Sequence, residues 1–165
     1  MSTLYKNILV PLDGSELAAQ ALPYAEEIAN NAHAKLSLLQ VVDDPVDIYV
    51  APETTLLSRT GMGVVHNAMD TNFHRQALDS AKWNMDELAA SLRHRKIDAE
   101  GDIDTGEAAT CIVEYAEAND IDLIVMSTHG RTGLGRWTYG SVANKVLQAA
   151  PCPVLIVRPT GSKSH

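Results

Sequence analysis

Cysteine is scarce: Cys111 and Cys152 are the only two in 165 residues, and neither stands in a CxxC pair or near a histidine at metal-ligand spacing. A disulfide framework and a cysteine-based zinc site are thereby excluded as readable features, and a reducing compartment fits. Aromatic residues are also few, at 5%. No stretch approaches the roughly 18 consecutive apolar residues that suggest a membrane span, and the opening MSTLYKNILVPLDGS lacks the apolar core of a signal peptide. An excess of positive charge is missing too: 13 Lys and Arg face 21 Asp and Glu, for a net charge of −8 and a pI near 5.1. A nucleic-acid backbone would meet like charge over most of such a surface. No GxxxxGK[ST] occurs, so a P-loop is excluded. These absences predict a soluble cytosolic (cytoplasmic) protein with no nucleic-acid or membrane partner.

What is present reads as one globular domain. Hydrophobic residues make up 45% of the chain, enough at this length to bury a core without metals or disulfides. The domain is expected over residues 1–160, with a short polar tail at 161–165 in which His165 is not a ligand. KNILVPL, residues 6–12, is an apolar run closed by a turn at Asp13-Gly14, as in a strand buried on both faces. Ser15 then caps a helical pattern through Leu17, Ala18, Ala21, Leu22, Ala25, Ile28 and Ala29, in which Pro23 should bend the helix or leave a carbonyl unpaired. Residues 35–43 form the next strand candidate. From 44 to 65 no period is visible, and the segment reads as a lid or an insertion.

Periodicity returns at 66–95, where Met69, Phe73, Ala77, Ala81, Met85, Leu88 and Leu92 place one apolar face on a long helix. Residues 97–106 alternate as a half-exposed edge strand, and 107–119 read as a helix burying Ala108, Ile112, Tyr115 and Ala116. IDLIVM, 121–126, is another buried strand. A helix through SVANKVLQAA ends at Pro151, and CPVLIVR, 152–158, is the fifth strand. Strand and helix alternating in this way predict an α/β fold, a doubly wound parallel sheet with helices on both faces.

Between the fourth strand and the last helix lies STHGRTGLGRWTYGS, residues 127–141, rich in glycine and hydroxyl residues. Ligands of open parallel sheets gather beyond the carboxyl ends of the strands, where strand order reverses. Gly130 lets an anion approach the main chain, and Gly140-Ser141 near a helix start offers unpaired N–H groups and a hydroxyl. That chemistry suits phosphate, although ordinary turns and caps use the same residues.

KNILVPLDGS, GEAATCIVEYAEANDIDLIVMSTHGRTGL and GSVANKVLQAAPCPVLIVRP together resemble the universal stress protein family over most of the chain. Its ATP-binding members carry a glycine, two residues, a second glycine, nine residues, then glycine with Ser or Thr. Here Gly130, Gly140 and Ser141 match, while Ser127 replaces the first glycine. The resemblance implies five strands in the order 3-2-1-4-5, an adenine nucleotide with Mg²⁺ or Mn²⁺, and a homodimer joined through the last strand. It also implies that Pro11, Leu12 and Asp13 border the nucleotide, with Asp13 the metal ligand. Val41 would offer backbone groups to adenine. Met126, Ser127, His129 and Gly130 would line the ribose and phosphate path, and Gly140, Ser141, Val142 and Ala143 would present donors to the phosphates.

Several of these residues have a second reading. Asp13 also suits an Asx turn, and Ser141 a helix cap. His129, with no partner carboxylate or nucleophile nearby in sequence, reads as a packing residue more than as an acid or base. Arg131 and Arg136 suit phosphate or solvent equally, and Cys111 and Cys152 read as inert core thiols. No dedicated set of groups for fast phosphoryl transfer is visible. A nucleotide-responsive dimeric regulator of a stress response, read by a protein partner, is the leading expectation. A slow ATPase or nucleotide-dependent transferase, and a nucleotide-free interaction module, are the alternatives.

Overall fold

The sequence NILVPL forms β1 (Asn7–Leu12), and five of its six residues are buried. The computed structural model that shows this describes residues 4–43, 68–128 and 140–158, with backbone alone for 68–71. The 44–65 segment, His129, Gly130, Arg131, Arg136 and the 161–165 tail lie outside the described residues.

After β1 come α1 (Glu16–Ala19), α2 (Leu22–Ala32), β2 (Lys35–Val42), α3 (Ala68–His94) and β3 (Ala99–Thr105). The chain continues as α4 (Ala108–Ala118), β4 (Leu123–Ser127), α5 (Ser141–Ala149) and β5 (Val154–Val157). The strands form one five-stranded sheet in the order β3-β2-β1-β4-β5. Every pairing is parallel, as the register Leu9↔Ser37 and Leu9↔Ile124 illustrates on the two sides of β1. The expected architecture and strand order are therefore the observed ones.

The two faces of the sheet carry separate cores. Ile8, Val10, Leu36, Leu38, Leu123 and Val125 pack with α2 and α3 on one side. Leu9, Leu39, Ile124 and Met126 pack with α4 and α5 on the other. Alternate residues of each central strand thus point into opposite apolar layers, which is why these strands read as unbroken apolar runs.

Three sequence expectations need correction. The helix expected to bend at Pro23 is two helices, with Pro23 in the first turn of α2. A proline there loses no intrahelical hydrogen bond, so the break falls before it. The apolar stripe of α3 holds only in part: Ala81, Met85 and Leu92 are buried, and Ala89 joins them, but Phe73 is 77% exposed. The β3 strand beneath α3 is only seven residues long, so a helix of 27 residues overruns it. Lastly, β5 begins at Val154 and not at Cys152, because Pro151 and Pro153 have no N–H to give a ladder.

Candidate functional site

The reversal of strand order falls between β1 and β4, whose neighbours lead away on opposite sides. At the carboxyl ends of these strands lies a cavity of about 620 Å³. Pro11, Leu12 and Asp13 enter it from the end of β1, Leu39 and Val41 from β2, and Met126 and Ser127 from β4. Gly140, Ser141, Val142 and Ala143 close it from the start of α5, and Ala108 and Ile112 from α4. Ala18 of α1 completes the described wall.

Ten of the sequence-derived candidates are thus gathered at one place: Pro11, Leu12, Asp13, Val41, Met126, Ser127, Gly140, Ser141, Val142 and Ala143. His129 and Gly130 lie outside the described residues. Ala18, Leu39, Ala108 and Ile112 were not anticipated. They are small or aliphatic members of periodic patterns, and no local signal separates a residue that lines a cavity from one that fills a core.

Local geometry explains how each wall is held. Asp13 Oδ1 accepts the Ser15 N–H at 2.9 Å, an Asx turn that fixes the carboxylate at the cavity rim. Gly14 adopts φ +78, a left-handed conformation suited to glycine, and Ser15 Oγ then accepts the Ala18 N–H at 3.1 Å to cap α1. At the other wall Gly140 is the N-cap of α5 and makes no side-chain cap bond. Ser141 is therefore the first helical residue and not the cap considered from the sequence. Asn144 N–H donates to the Gly140 carbonyl at 3.0 Å, the first bond of the helix, so the N–H groups of Ser141, Val142 and Ala143 have no intrahelical acceptor.

The α4 wall is tied to α5 by charge. Glu107 caps α4, with Oε2 accepting the Thr110 N–H at 2.8 Å and the Thr110 hydroxyl at 2.7 Å, while Oε1 takes Lys145 Nζ at 2.9 Å. The Thr110 hydroxyl foremost, with Lys145 and the Thr110 N–H, holds the Glu107 carboxyl down at about 2. Lys145 is thereby engaged away from the helix start. Behind α4, Tyr115 donates to Asp102 Oδ2 at 2.5 Å, and burial, with that bond, pushes its phenol above its ordinary range. Burial likewise raises both thiols, Cys111 and Cys152, which agrees with unreactive cysteines.

Chemically the cavity lining is mixed. Leu39, Val41, Ile112 and Met126 are among its apolar members. The polar side chains of the described wall are Asp13, Ser127 and Ser141, and the first turn of α5 adds three N–H groups without intrahelical acceptors. Ser127 Oγ is enclosed and has no hydrogen-bond partner among the described residues. No lysine or arginine lines the described wall, so an anion there would be met by main-chain dipoles.

The sequence profile of the universal stress protein family matches residues 4–158. Universal stress protein MJ0531 of Methanocaldococcus jannaschii is 34% identical over 155 residues, covering 94% of this chain and 83% of that protein. Among solved structures, that of the hypothetical protein MJ0577 superposes with a TM-score of 0.73 at 26% identity, over 96% of this chain and 99% of that one. Two more distant structures share the fold. A universal stress protein in complex with cAMP has a TM-score of 0.57 at 23% identity, over 94% of this chain and 98% of its own. An Arabidopsis thaliana universal stress family protein with AMP bound has 0.59 at 17%, over 97% and 95%. With its profile match running through every described strand and helix, and its fold shared with these relatives, the chain belongs to the universal stress protein family.

Proposed function

We propose that the chain binds an adenine nucleotide, ATP with Mg²⁺ or Mn²⁺, in the cavity between β1 and β4, and works as a nucleotide-responsive cytosolic regulator. The observation that carries this reading is the cavity at the carboxyl ends of β1 and β4, with its mixed apolar and polar lining. Its volume of about 620 Å³ lies within the range of about 300–1,000 Å³ typical of small-molecule sites. The apolar lining residues suit a flat base, and the Val41 backbone at the β2 tip would offer it donors and acceptors. Pro11, Leu12, Met126 and Ser127 would flank the sugar, with His129 and Gly130 on the same path. Gly140, Ser141, Val142 and Ala143 would give N–H groups to the phosphates at the positive end of α5.

The described residues fit such a ligand. Ser127 Oγ is enclosed with no partner among the described residues, a situation that costs about 1–3 kcal/mol, and a ligand oxygen within reach of a rotated side chain would relieve it. Asp13 is the carboxylate to hold the metal, because Mg²⁺ sites commonly use one or two carboxylates with phosphate oxygens and water. Bound metal would neutralise phosphate charge beside an otherwise acidic protein. The relatives solved with cAMP and with AMP support an adenine ligand in this fold.

Binding would act by population shift, favouring one arrangement of the loops around the cavity, which a protein partner then reads. A homodimer joined through β5 belongs to the same reading, since VLIV presents an apolar edge. Fast hydrolysis is not expected: the polar groups of the described wall are one carboxylate and two hydroxyls, with no second base to position water.

Calorimetry with ATP, ADP and AMP, with and without Mg²⁺, tests this. One nucleotide per chain is expected, and Asp13→Ala should remove the metal-dependent part of the affinity while leaving the fold intact by circular dichroism. Absence of both heat and thermal stabilisation at millimolar nucleotide sinks the reading. Rapid phosphate release abolished by the same substitution would make the protein an enzyme instead.

A further inference from the structure

The sheet ends in two edge strands, β3 and β5, and the two edges are built differently. On β3, the Leu36 N–H donates to the Asp98 carbonyl at 2.8 Å and the Gly106 N–H to the Val42 carbonyl at 3.2 Å, so even-numbered residues turn their backbone groups toward β2. Ala99, Gly101, Ile103 and Thr105 therefore direct theirs outward. Arg93 Nη1 donates to the Ala99 carbonyl at 2.6 Å, and Lys82 Nζ to the Gly101 carbonyl at 2.9 Å. The Thr105 N–H is taken by Asp104 Oδ1 at 2.8 Å. Two long cations from α3 thus occupy acceptors that an incoming strand would need.

Their reach depends on how closely α3 lies over β3. A Cβ placed on Gly101 would come within 2.5 Å of the Met85 carbonyl oxygen, so a glycine is required for this approach. Among the described residues the β5 edge has no such cover. Ile124 N–H donates to the Pro153 carbonyl at 3.0 Å and Thr128 N–H to the Val157 carbonyl at 3.2 Å, which leaves Val154 and Ile156 facing outward. Among the described residues no side chain donates to their carbonyls.

We propose that Lys82 and Arg93 seal the β3 edge against strand addition, so that pairing between copies of this chain is confined to β5. The consequence follows from symmetry. Pairing β5 with β5 is isologous and closes at two copies, whereas pairing β3 with β5 is heterologous and can propagate into a polymer. The closed pair rests on the dimer proposed above; the sealing of β3 does not.

The test uses the full chain with Lys82→Met and Arg93→Met together, followed by light scattering over a wide concentration range. A control with Lys6→Met and Arg75→Met has the same net charge. The expected result is a discrete mass for the wild type and the control, and a mass that rises with concentration in the sealed-edge variant, by roughly a doubling or more. Lys82→Arg with Arg93→Lys keeps both donors and should behave as the wild type. A folded methionine pair with the wild-type mass at every concentration overturns the proposal. If that pair does not fold, the two single substitutions are read instead, and growth in neither overturns it equally. A monomeric wild type removes the β5 dimer, while growth of the methionine pair still supports the seal and its absence still refutes it.

Discussion

At the scale of single residues, Gly101 and Ser127 show how little of a position's role is written in its type. Gly101 sits in β3 with a conformation open to other residues, and space alone demands a glycine, because Met85 backbone atoms stand where a Cβ would be. Backbone cannot rotate aside as a side-chain tip can, so Gly101→Ala should lift α3 from the sheet. Overpacking of this kind costs about 1–3 kcal/mol, and urea unfolding should show it as a lower midpoint with an unchanged slope. From sequence, Gly101 looked like one more small residue in an alternating strand. Ser127 looked like a tolerable replacement for a motif glycine, and only the coordinates reveal that its hydroxyl is enclosed without a partner among the described residues.

At the scale of elements, caps and breaks were the legible features, and helix faces were less so. Ser15 was expected to cap a helix and does, since a hydroxyl before an apolar period has little else to bond locally. The break at Pro23 was legible as a disturbance but not as a complete restart, with Ala21 as the N-cap of a new helix. On α3 the apolar period placed Phe73 with Met85 and Leu92, yet periodicity cannot tell where the underlying strand stops. The cap on α4 carries a pH signature. Glu107 is held at about 2, below the ordinary 4.5, so its contribution is complete above about pH 4.5 and is lost as pH falls through 2. Glu107→Gln should therefore lose less stability than the wild type between neutral pH and pH 3, compared as urea midpoints. The difference should be small because the carboxylate faces solvent.

At the scale of the whole molecule, the sheet decides where the cavity opens and which strands form its edges. If ATP fills the cavity only in the folded chain, nucleotide at a hundred times its Kd adds about 2.7 kcal/mol of stability. For a chain of this length that corresponds to a rise in Tm of about 5–10 °C, readable by scanning calorimetry. The same titration with Asp13→Ala should give a smaller rise in the presence of Mg²⁺, which separates metal-assisted phosphate binding from recognition of the base.

Sequence alone determined the class of fold, because strands buried on both faces must be apolar throughout and their helices must be amphipathic, and both patterns are local. It also placed Asp13 and the Gly140-Ser141 pair at strand and helix ends, where turn chemistry restricts the choice of residue. Tertiary structure decided what those ends enclose. Leu39, Ala108 and Ile112 join the cavity wall only because distant elements converge, and Lys82 and Arg93 reach the β3 carbonyls only because α3 packs close over Gly101. Contacts between residues far apart in the chain leave no period and no spacing, so they can be read only after the chain has folded.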